Sequence, residues 1–278
     1  MVDIIYLMLV KLVNIVPRSW LIKFGYSRLG SKLVTQFKKN NSRKFFETDQ
    51  GIFMHLDITN PHTWDLIQKR DPEQKIKQVF AYNLKAGNTV IDVGAHIGEF
   101  SLIASKKVGN EGKIIAIEPL IENAKWIQKN LSLNEIKNCL VLELAVGSKR
   151  DKVTIYKKNV NASMGILDPQ ISEEKLVKSY DIEVETLDAI LTERKIDNVD
   201  MLKIDVEGYE YEVLTGCKEL MRQKKIKKII CEIHSQYLAK KGVSEDMLYS
   251  LLRDNGFKVD NIEEEAKNPH IFAYLSQL

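Results

Sequence analysis

The pattern of apolar and polar residues from position 88 onward predicts strands and helices in alternation. Its clearest stretch has an apolar run at Thr89–Asp92, glycines at 94 and 98, a helical pattern after them, and a second apolar run at Lys113–Glu118. A strand, a tight glycine turn, a helix and a second strand make up one βαβ unit, whose two strands lie parallel. We therefore expect a parallel sheet at the centre of the fold.

The alternation continues to the end of the chain. Further helices are predicted at 122–133, 184–190, 209–220 and 247–252, and further strands at 139–146, 199–206, 227–233, 257–262 and 270–275, with a short excursion at 153–156. Before the first strand, Asp71 as N-cap, Pro72 at the first helical position and Gly87 at the end delimit one more helix. Repeated alternation of this kind is typical of a sheet covered by helices on both faces.

The first 44 residues have a different pattern and a one-sided charge. Apolar residues crowd into positions 4–16, which predicts a short helix, and no acidic residue occurs between Asp3 and Glu47. This stretch has about thirteen residues, fewer than the roughly 20 that span a bilayer. A basic segment with an apolar helix suits peripheral attachment to a membrane, whereas the interpretation that we favour is a helical arm packed on the rest of the protein or on a partner. A hairpin is expected next, over 44–58 around Gly51.

The composition is that of a globular protein, and it argues against a nucleic acid as its partner. Of the 278 residues, 44% are hydrophobic and 28% are charged, and the net charge of +3 is too small to indicate a nucleic-acid partner. The cysteines Cys139, Cys217 and Cys231 lie far apart without a C-x-x-C pair, so they indicate neither a disulfide framework nor a zinc site. We therefore expect a reducing, cytoplasmic location, with peripheral membrane contact through residues 1–44 left open.

The glycine turn after the first strand has the features of a site for a small charged ligand. Gly94 lets the backbone turn sharply and approach a ligand, and Gly98 does the same where the helix begins. The N–H groups at the helix start favour a carboxylate or a phosphate. Glu118, at the end of the second strand, is placed to accept hydrogen bonds from two ribose hydroxyls. The turn therefore suits a ligand that contains ribose.

The residue before the turn distinguishes between ribose ligands. Dinucleotide-binding turns read G-x-G-x-x-G, and this chain has Asp92 where their first glycine stands. An acid there suits a ligand with an ammonium group and would sit badly beside a pyrophosphate. S-adenosylmethionine carries an ammonium, a carboxylate, a sulfonium and a ribose, so it fits all of these features. The alternative is a glycine turn that merely closes the βαβ unit.

Five short runs of the sequence carry a resemblance to a known family. They are TVIDVGAHIGEFSL from Thr89, IEP at Ile117–Pro119, ETLD at Glu185–Asp188, KIDVEGYE at Lys203–Glu210 and CEIH at Cys231–His234. Together they resemble the FkbM family of S-adenosylmethionine-dependent methyltransferases, over roughly residues 85–260. The combination of the glycine turn with KIDVEG about a hundred residues later is far more specific than either run alone.

The resemblance implies an α/β fold of the class I methyltransferase (Rossmann-like) type. In that fold a seven-stranded, mostly parallel sheet ends in a hairpin and has helices on both faces. Residues 71–278 would form the methyltransferase domain, and residues 1–70 a basic, amphipathic helical and hairpin extension. The expected cofactor-binding residues are Asp92, Gly94, Ala95, His96, Gly98, Glu118 and Ala145. At the position of His96, members of the family often carry Asn.

Ionisable residues follow strands that this fold brings side by side. Ligands of open α/β sheets bind outside the carboxyl ends of the strands, where the strand order reverses. At such ends stand Asp92, Asp205, Glu207, Glu232 and His234. Methyl transfer to an alcohol requires alignment of the acceptor and removal of its proton. We predict Asp205, Glu207 and His234 as the catalytic residues, with Asp205 or His234 as the general base and His234 the better tuned near neutral pH.

Other roles stay open for the same three residues. They could together hold a divalent ion such as magnesium, which would lower the pKa of the acceptor, but their spacing alone does not establish a metal site. Glu207 could instead cap the helix that follows it, and His234 could be a core histidine.

The sequence also narrows the acceptor. Enzymes that methylate exocyclic amines of bases commonly carry N-P-P-Y or D-P-P-Y where this chain has D-V-E-G at Asp205–Gly208. The resemblance likewise implies O-methylation of a hydroxyl on a sugar, a glycan or another small molecule. The alternatives are a non-catalytic membrane-surface or scaffold protein that retains the cofactor pocket, and an RNA methyltransferase that uses the basic arm.

Overall fold

Strands and helices alternate through most of the described chain, which comprises residues 45–48, 50–55, 73–157, 178–262 and 268–276 of a computed structural model. The strands are β1 Phe45–Glu47, β2 Phe53–His55, β3 Thr89–Val93, β4 Lys113–Ile117, β5 Cys139–Leu142, β6 Ala145–Val146, β7 Asp151–Lys157, β8 Lys178–Glu185, β9 Met201–Ile204, β10 Lys228–Glu232, β11 Phe257–Ile262 and β12 His270–Leu275. The helices are α1 Gln74–Tyr82, α2 Glu99–Val108, α3 Ile121–Leu133, α4 Leu187–Glu193, α5 Glu210–Thr215, α6 Lys218–Arg222, α7 Ser235–Lys240 and α8 Glu245–Asp254. All of these elements except β1 and β2 belong to one compact unit, Glu73–Leu278.

The central sheet has seven strands in the order β11-β12-β10-β9-β3-β4-β5. Strands β3, β4, β5, β9 and β10 pair in parallel, and β12 runs antiparallel to both of its neighbours. This arrangement confirms the expected seven-stranded, mostly parallel sheet with a closing hairpin. The strand order reverses between β3 and β9, so the carboxyl ends of these two strands flank the crevice where ligands of such sheets bind.

The two strands at the reversal are buried along almost their whole length because helices cover both faces of the sheet. Val90, Ile91, Met201 and Leu202 are completely buried, as expected for parallel strands with helices on either side. Parallel crossovers are right-handed, so the helices after β3 and β4 cover one face and those after β9 and β10 cover the other. Among the described residues, no helix is long and apolar enough to cross a bilayer.

A second, three-stranded sheet, in the order β6-β8-β7, corrects several predictions. The third strand expected at 139–146 is wrong as a single element, because β5 ends at Leu142 and the next strand, β6, pairs with β8. The excursion at 153–156 is the longer strand β7, and β8 was not predicted at all. Its apolar residues Tyr180, Ile182 and Val184 fall at every second position, which is the period of a half-buried strand.

Helix boundaries differ from the predicted ones for local reasons. Val184 lies in a strand, and α4 begins after Thr186, whose hydroxyl accepts a hydrogen bond from the Ala189 N–H at 3.2 Å. The helix predicted at 209–220 is divided into α5 and α6 at Gly216, which lies against the Gly147 carbonyl so closely that a Cβ would be 1.9 Å from its oxygen.

Other boundaries differ at the ends of the predicted elements. Helix α7 was missed, and α8 is longer than 247–252. The fourth strand of the sheet is shorter than 199–206 and the fifth is shorter than 227–233. The hairpin at 44–58 is present in the short antiparallel strands β1 and β2. Asp71, Pro72 and the predicted arm at 1–44 lie outside the described residues.

Candidate active site

The glycine turn after β3 is shaped by contacts with the protein itself. Gly94 has a φ of +76°, and a Cβ on it would lie 1.7 Å from the Asp205 carbonyl oxygen. Gly98, the N-cap of α2, has a φ of +92°, and its Cβ would be 3.1 Å from a methyl carbon of Ile127. Glycine at 94 is therefore needed so that the end of β3 can approach the end of β9. The missing Cβ thus has a role within the protein, and the approach of a ligand to the turn stays a prediction.

The turn is tied to the end of β4. The N–H groups of Gly94 and Ala95 both donate to the Ile117 carbonyl, at 2.9 and 3.1 Å, and the His96 N–H donates to Glu118 Oε2 at 2.9 Å. The N–H groups in this motif that an anion could use therefore belong to the first turn of α2. His96 adopts a φ of +53°, a conformation that few residues other than glycine take.

Glu118 is buried and strongly hydrogen-bonded. Besides the His96 N–H, it accepts hydrogen bonds from the Leu120 N–H at 3.0 Å and from the Asn123 side-chain amide at 3.1 Å. Burial raises the pKa of Glu118 to about 7, although these donors act in the opposite direction. A carboxylate has about four acceptor sites, so some capacity remains for a ribose hydroxyl. The ribose contact stays a prediction.

A buried lysine that the sequence reasoning missed lies between two of the predicted acids. The Lys203 ammonium is 3.5 Å from Asp92 Oδ1 and 3.3 Å from Asp205 Oδ2, and it donates to the Gly94 carbonyl at 3.1 Å. Burial alone would lower the pKa of Lys203, but Asp205 and Asp92 raise it. The carboxylate of Asp92, which also accepts a hydrogen bond from Ser101, thus already has a cationic partner. The argument that it pairs with an ammonium of the ligand loses force.

Asp205, Glu207 and His234 come together as predicted from their places at the strand ends. Ligand atoms from the three side chains all lie within 4.8 Å of one another. His234 Nε2 is 3.4 Å from Glu207 Oε2 and 3.6 Å from Glu232 Oε1. The imidazole is buried, whereas the side chains of Asp205 and Glu207 are each 27% exposed. The carboxylates, rather than the imidazole, are therefore the members that a solute can reach.

The surrounding carboxylates change the expected protonation of His234. Burial favours the neutral imidazole, but Glu210, Glu207 and Asp205 outweigh this and raise the pKa of His234 to about 9. Burial raises the pKa of Glu207 to about 7, against the attraction of His234. His234 is therefore charged at neutral pH, contrary to the expectation that it is the better-tuned base there. Glu207 is the member of the cluster that titrates near neutrality.

The pKa values of the neighbouring carboxylates Asp205 and Glu232 are shifted in opposite directions. Burial raises the pKa of Asp205, which Lys203 only partly offsets. Burial would also raise the pKa of Glu232, but hydrogen bonding and attraction by His270, together with His234, lower it overall. Glu232 is therefore charged at neutral pH and is a poor candidate for a proton acceptor.

A small crevice of about 10 Å³, with room for about one water molecule, opens beside Asp205 and Glu232. Its lining includes Phe100, Lys203, Asp205, Glu232 and His270. A larger open depression lies on α3 and β5, and its lining contains none of the predicted site residues. Ala145 is in the small sheet, where it pairs with Val184, so its predicted cofactor contact would come from outside the central sheet.

Comparison with known proteins finds one family and several distant relatives. The family model described as Methyltransferase FkbM domain matches residues 92–259, more than half of the chain. AMB antimetabolite synthetase AmbE of Pseudomonas aeruginosa is 23% identical over 79% of this chain and 12% of its own length. Methyltransferase sdnD of Sordaria araneosa is 26% identical over 61% of this chain and 70% of its own. The chain thus spans only a small part of the first relative.

Among solved structures, the chain is similar to methyltransferase FkbM from Methylobacillus flagellatus. The identity is 14%, the TM-score is 0.48, and the match covers 80% of this chain and 56% of that one.

Proposed function

Because the chain belongs to the FkbM family of S-adenosylmethionine-dependent methyltransferases, we propose that it methylates a hydroxyl group on a sugar, a glycan or another small molecule. The observation that carries this proposal is the cluster of Asp205, Glu207 and His234 at the carboxyl ends of β9 and β10. A hydroxyl acceptor must lose its proton during transfer, and this cluster combines an accessible carboxylate with a buried cation beside it.

S-adenosylmethionine supplies the reactive sulfonium methyl group when it is bound. The ends of β3 and β4 fit this cofactor in two respects: Glu118 retains acceptor capacity for a ribose hydroxyl, and the first turn of α2 offers N–H groups to a carboxylate. Asp92 contributes indirectly, since Lys203 is already its partner and holds it next to Asp205.

Within the cluster, Glu207 is the group that we propose as the proton acceptor. It is partly exposed, and its pKa of about 7 allows it to bind and release a proton near neutral pH. His234 lies behind it and, as a cation, favours the charged form of the carboxylate. Asp205 is the second exposed carboxylate, and its contact with Lys203 suits it to orient the acceptor.

A divalent cation such as magnesium is an alternative for the same step. Two carboxylates and one imidazole form an acceptable ligand set, and a bound cation would lower the pKa of the acceptor hydroxyl. The mutual spacing of the three groups is the whole of the support for it. No step of the proposal therefore depends on a metal.

The test is transfer of a labelled methyl group from S-adenosylmethionine by the purified full chain. The acceptor panel would contain monosaccharides, oligosaccharides and small polyhydroxylated molecules, with amine analogues and RNA as controls, each with magnesium and with a chelator. We expect label on a hydroxyl oxygen, and loss of transfer in Asp205→Asn and Glu207→Gln with binding of S-adenosylhomocysteine retained.

Each other outcome points to a different function. Label on nitrogen would overturn the hydroxyl assignment. Label on RNA, with affinity that falls steeply as salt rises, would favour the RNA alternative. Binding of S-adenosylhomocysteine without transfer to any acceptor would favour the scaffold alternative, and loss of activity with the chelator alone would assign the cluster to a metal.

A further inference from the structure

A buried carboxylate outside the predicted site contacts the far side of His234. Glu210 is the first residue of α5 and is completely buried. Its Oε1 lies 2.7 Å from His234 Nδ1 and accepts a hydrogen bond from the Gly208 N–H at 2.9 Å. A carboxylate without water is costly unless charge and hydrogen bonds compensate it. Since one oxygen contacts both groups, Glu210 links the imidazole to the turn before α5.

The contact with Glu210 determines which ring nitrogen of His234 faces the rest of the cluster. With Nδ1–H donated to Glu210, the nitrogen that faces the other carboxylates of the cluster is Nε2, at 3.4 Å from Glu207 and 3.6 Å from Glu232. A carboxylate behind a histidine fixes the ring orientation and the tautomer in both acid–base and metal sites. Glu210 therefore fixes the ring orientation and the tautomer of His234, whether the imidazole takes part in acid–base chemistry or binds a metal.

A second consequence of the contacts of Glu210 concerns Glu207. Glu207 and Gly208 both adopt positive φ, +55° and +94°, and for Glu207 this conformation is unfavourable. A Cβ on Gly208 would lie 2.3 Å from the Tyr237 Cβ, so the turn is pressed against α7. The hydrogen bond from the Gly208 N–H to Glu210 holds this turn in the conformation that places Glu207 beside His234.

We infer that Glu210 is a positioning residue, which fixes His234 through Nδ1 and Glu207 through the Gly208 N–H so that the two face the acceptor together. Its contribution to turnover rests on the proposed function. Its effect on the imidazole does not depend on that function, so an experiment can test the contact and the contribution to turnover separately.

The experiment compares Glu210→Ala and Glu210→Gln with Glu212→Ala. Glu212 lies two residues along the same helix and pairs with Lys241 at 3.1 Å, away from His234. The Gln side-chain oxygen can still accept both hydrogen bonds, but without the charge, whereas Ala accepts neither. Proton NMR of the ¹⁵N-labelled full chain should contain a far-downfield, slowly exchanging imidazole proton, which through-bond correlation assigns to Nδ1 of His234.

We expect this signal to be unchanged in Glu212→Ala, shifted upfield in Glu210→Gln and lost in Glu210→Ala. Methyl transfer should fall about 10- to 100-fold in kcat in Glu210→Ala and less in Glu210→Gln. The affinity for S-adenosylhomocysteine should stay within about twofold of wild type in each variant, because Glu210 lies outside the expected cofactor site.

Two results would overturn the inference. One is a wild-type spectrum in which the protected proton is missing or belongs to Nε2, a result that needs no variant to fold. The other is a signal that Glu210→Ala removes without any loss of turnover. Failure of the wild type to methylate any acceptor, with the Nδ1 signal intact, would count against the proposed function and not against the contact.

Discussion

At the scale of single residues, the site contains more carboxylates than cations. Asp205, Glu207, Glu210 and Glu232 surround His234 at close range. Like charges in a confined site raise one another's pKa values until a proton or a cation is retained. The imidazole is the place where that proton is held most firmly, which leaves Glu207 as the group that changes charge near neutral pH.

The difference in protonation between His234 and Glu207 predicts the pH dependence of methyl transfer. Since the pKa of Glu207 is raised to about 7, the group is protonated and inactive as a base below that pH. We expect kcat/KM to rise about tenfold per pH unit below 7 and to level off above it. Glu207→Gln should lower the rate and abolish this rise, whereas Glu212→Gln should keep the wild-type profile. Initial rates between about pH 5 and pH 9 measure both, and a rise that persists in Glu207→Gln would assign it to another group.

Glu118 gives a second prediction at this scale. Its replacement by Ala removes the acceptor expected for the ribose and also releases the His96 N–H and the Leu120 N–H. Loss of one hydrogen bond to a charged group costs about 1.5–3 kcal/mol, so affinity for S-adenosylhomocysteine should fall roughly 10- to 150-fold in a calorimetric titration. Glu111→Ala is the matched control, because Glu111 is exposed and precedes β4 at its opposite end. Equal affinities would refute the assignment.

The sequence pattern predicted the members of the site that stand at strand ends. Asp205, Glu207 and His234 follow apolar runs, and parallel strands bring such positions to one edge. Glu210 was missed because it is the first residue of a helix, and the direction of its side chain depends on how α5 packs. Lys203 was missed although a signal exists: it is two residues from Asp205 in a strand, and alternate residues of a strand share a face.

At the scale of elements, the close approach of the turn after β3 to β9 makes a prediction about stability. Gly94 and Gly87 both have positive φ, +76° and +79°, but nothing lies within 4 Å of a Cβ on Gly87. Gly87→Ala should therefore cost only the conformational term of about 1–2 kcal/mol. Gly94→Ala adds a clash with the Asp205 carbonyl, worth a further 1–3 kcal/mol or more, so roughly 2–5 kcal/mol in total.

Urea unfolding of the two variants measures this difference. The two glycines have similar φ angles, so the difference between the two free energies of unfolding reports mainly the contact with the end of β9. Equal losses would mean that the end of β9 yields easily, and that the turn is less firmly fixed than its geometry implies.

The elements that could be predicted from sequence are those with a simple period. The parallel strands are continuous apolar runs bounded by turns, and their order then follows from the connection rules. Strand β8 was missed although its apolar residues alternate, because Val184 near its end was assigned to the helix that follows. The end of β5 and the break between α5 and α6 depend on contacts with distant residues, such as that between Gly216 and Gly147.

At the scale of the whole molecule, the proposed chemistry is contained in one part of the chain. The compact unit Glu73–Leu278 includes both the central sheet and every residue of the proposed site. Residues 1–44, with their basic and apolar character, lie outside the described residues, and the family match begins at residue 92. The N-terminal region is therefore expected to affect where the protein acts rather than its chemistry.

This separation predicts that a fragment of residues 71–278 folds and binds S-adenosylhomocysteine within about twofold of the full chain, since it keeps the entire central sheet and its ligand edge. Calorimetric titration of both chains measures the affinity, with circular dichroism as the control for folding. A fragment that folds but binds much more weakly would show that the N-terminal residues complete the cofactor site.

Flotation of both chains with anionic vesicles then tests the N-terminal region itself. Binding by the full chain alone, weakened by salt, would support peripheral attachment. Equal flotation of the two chains would favour an arm that packs on protein.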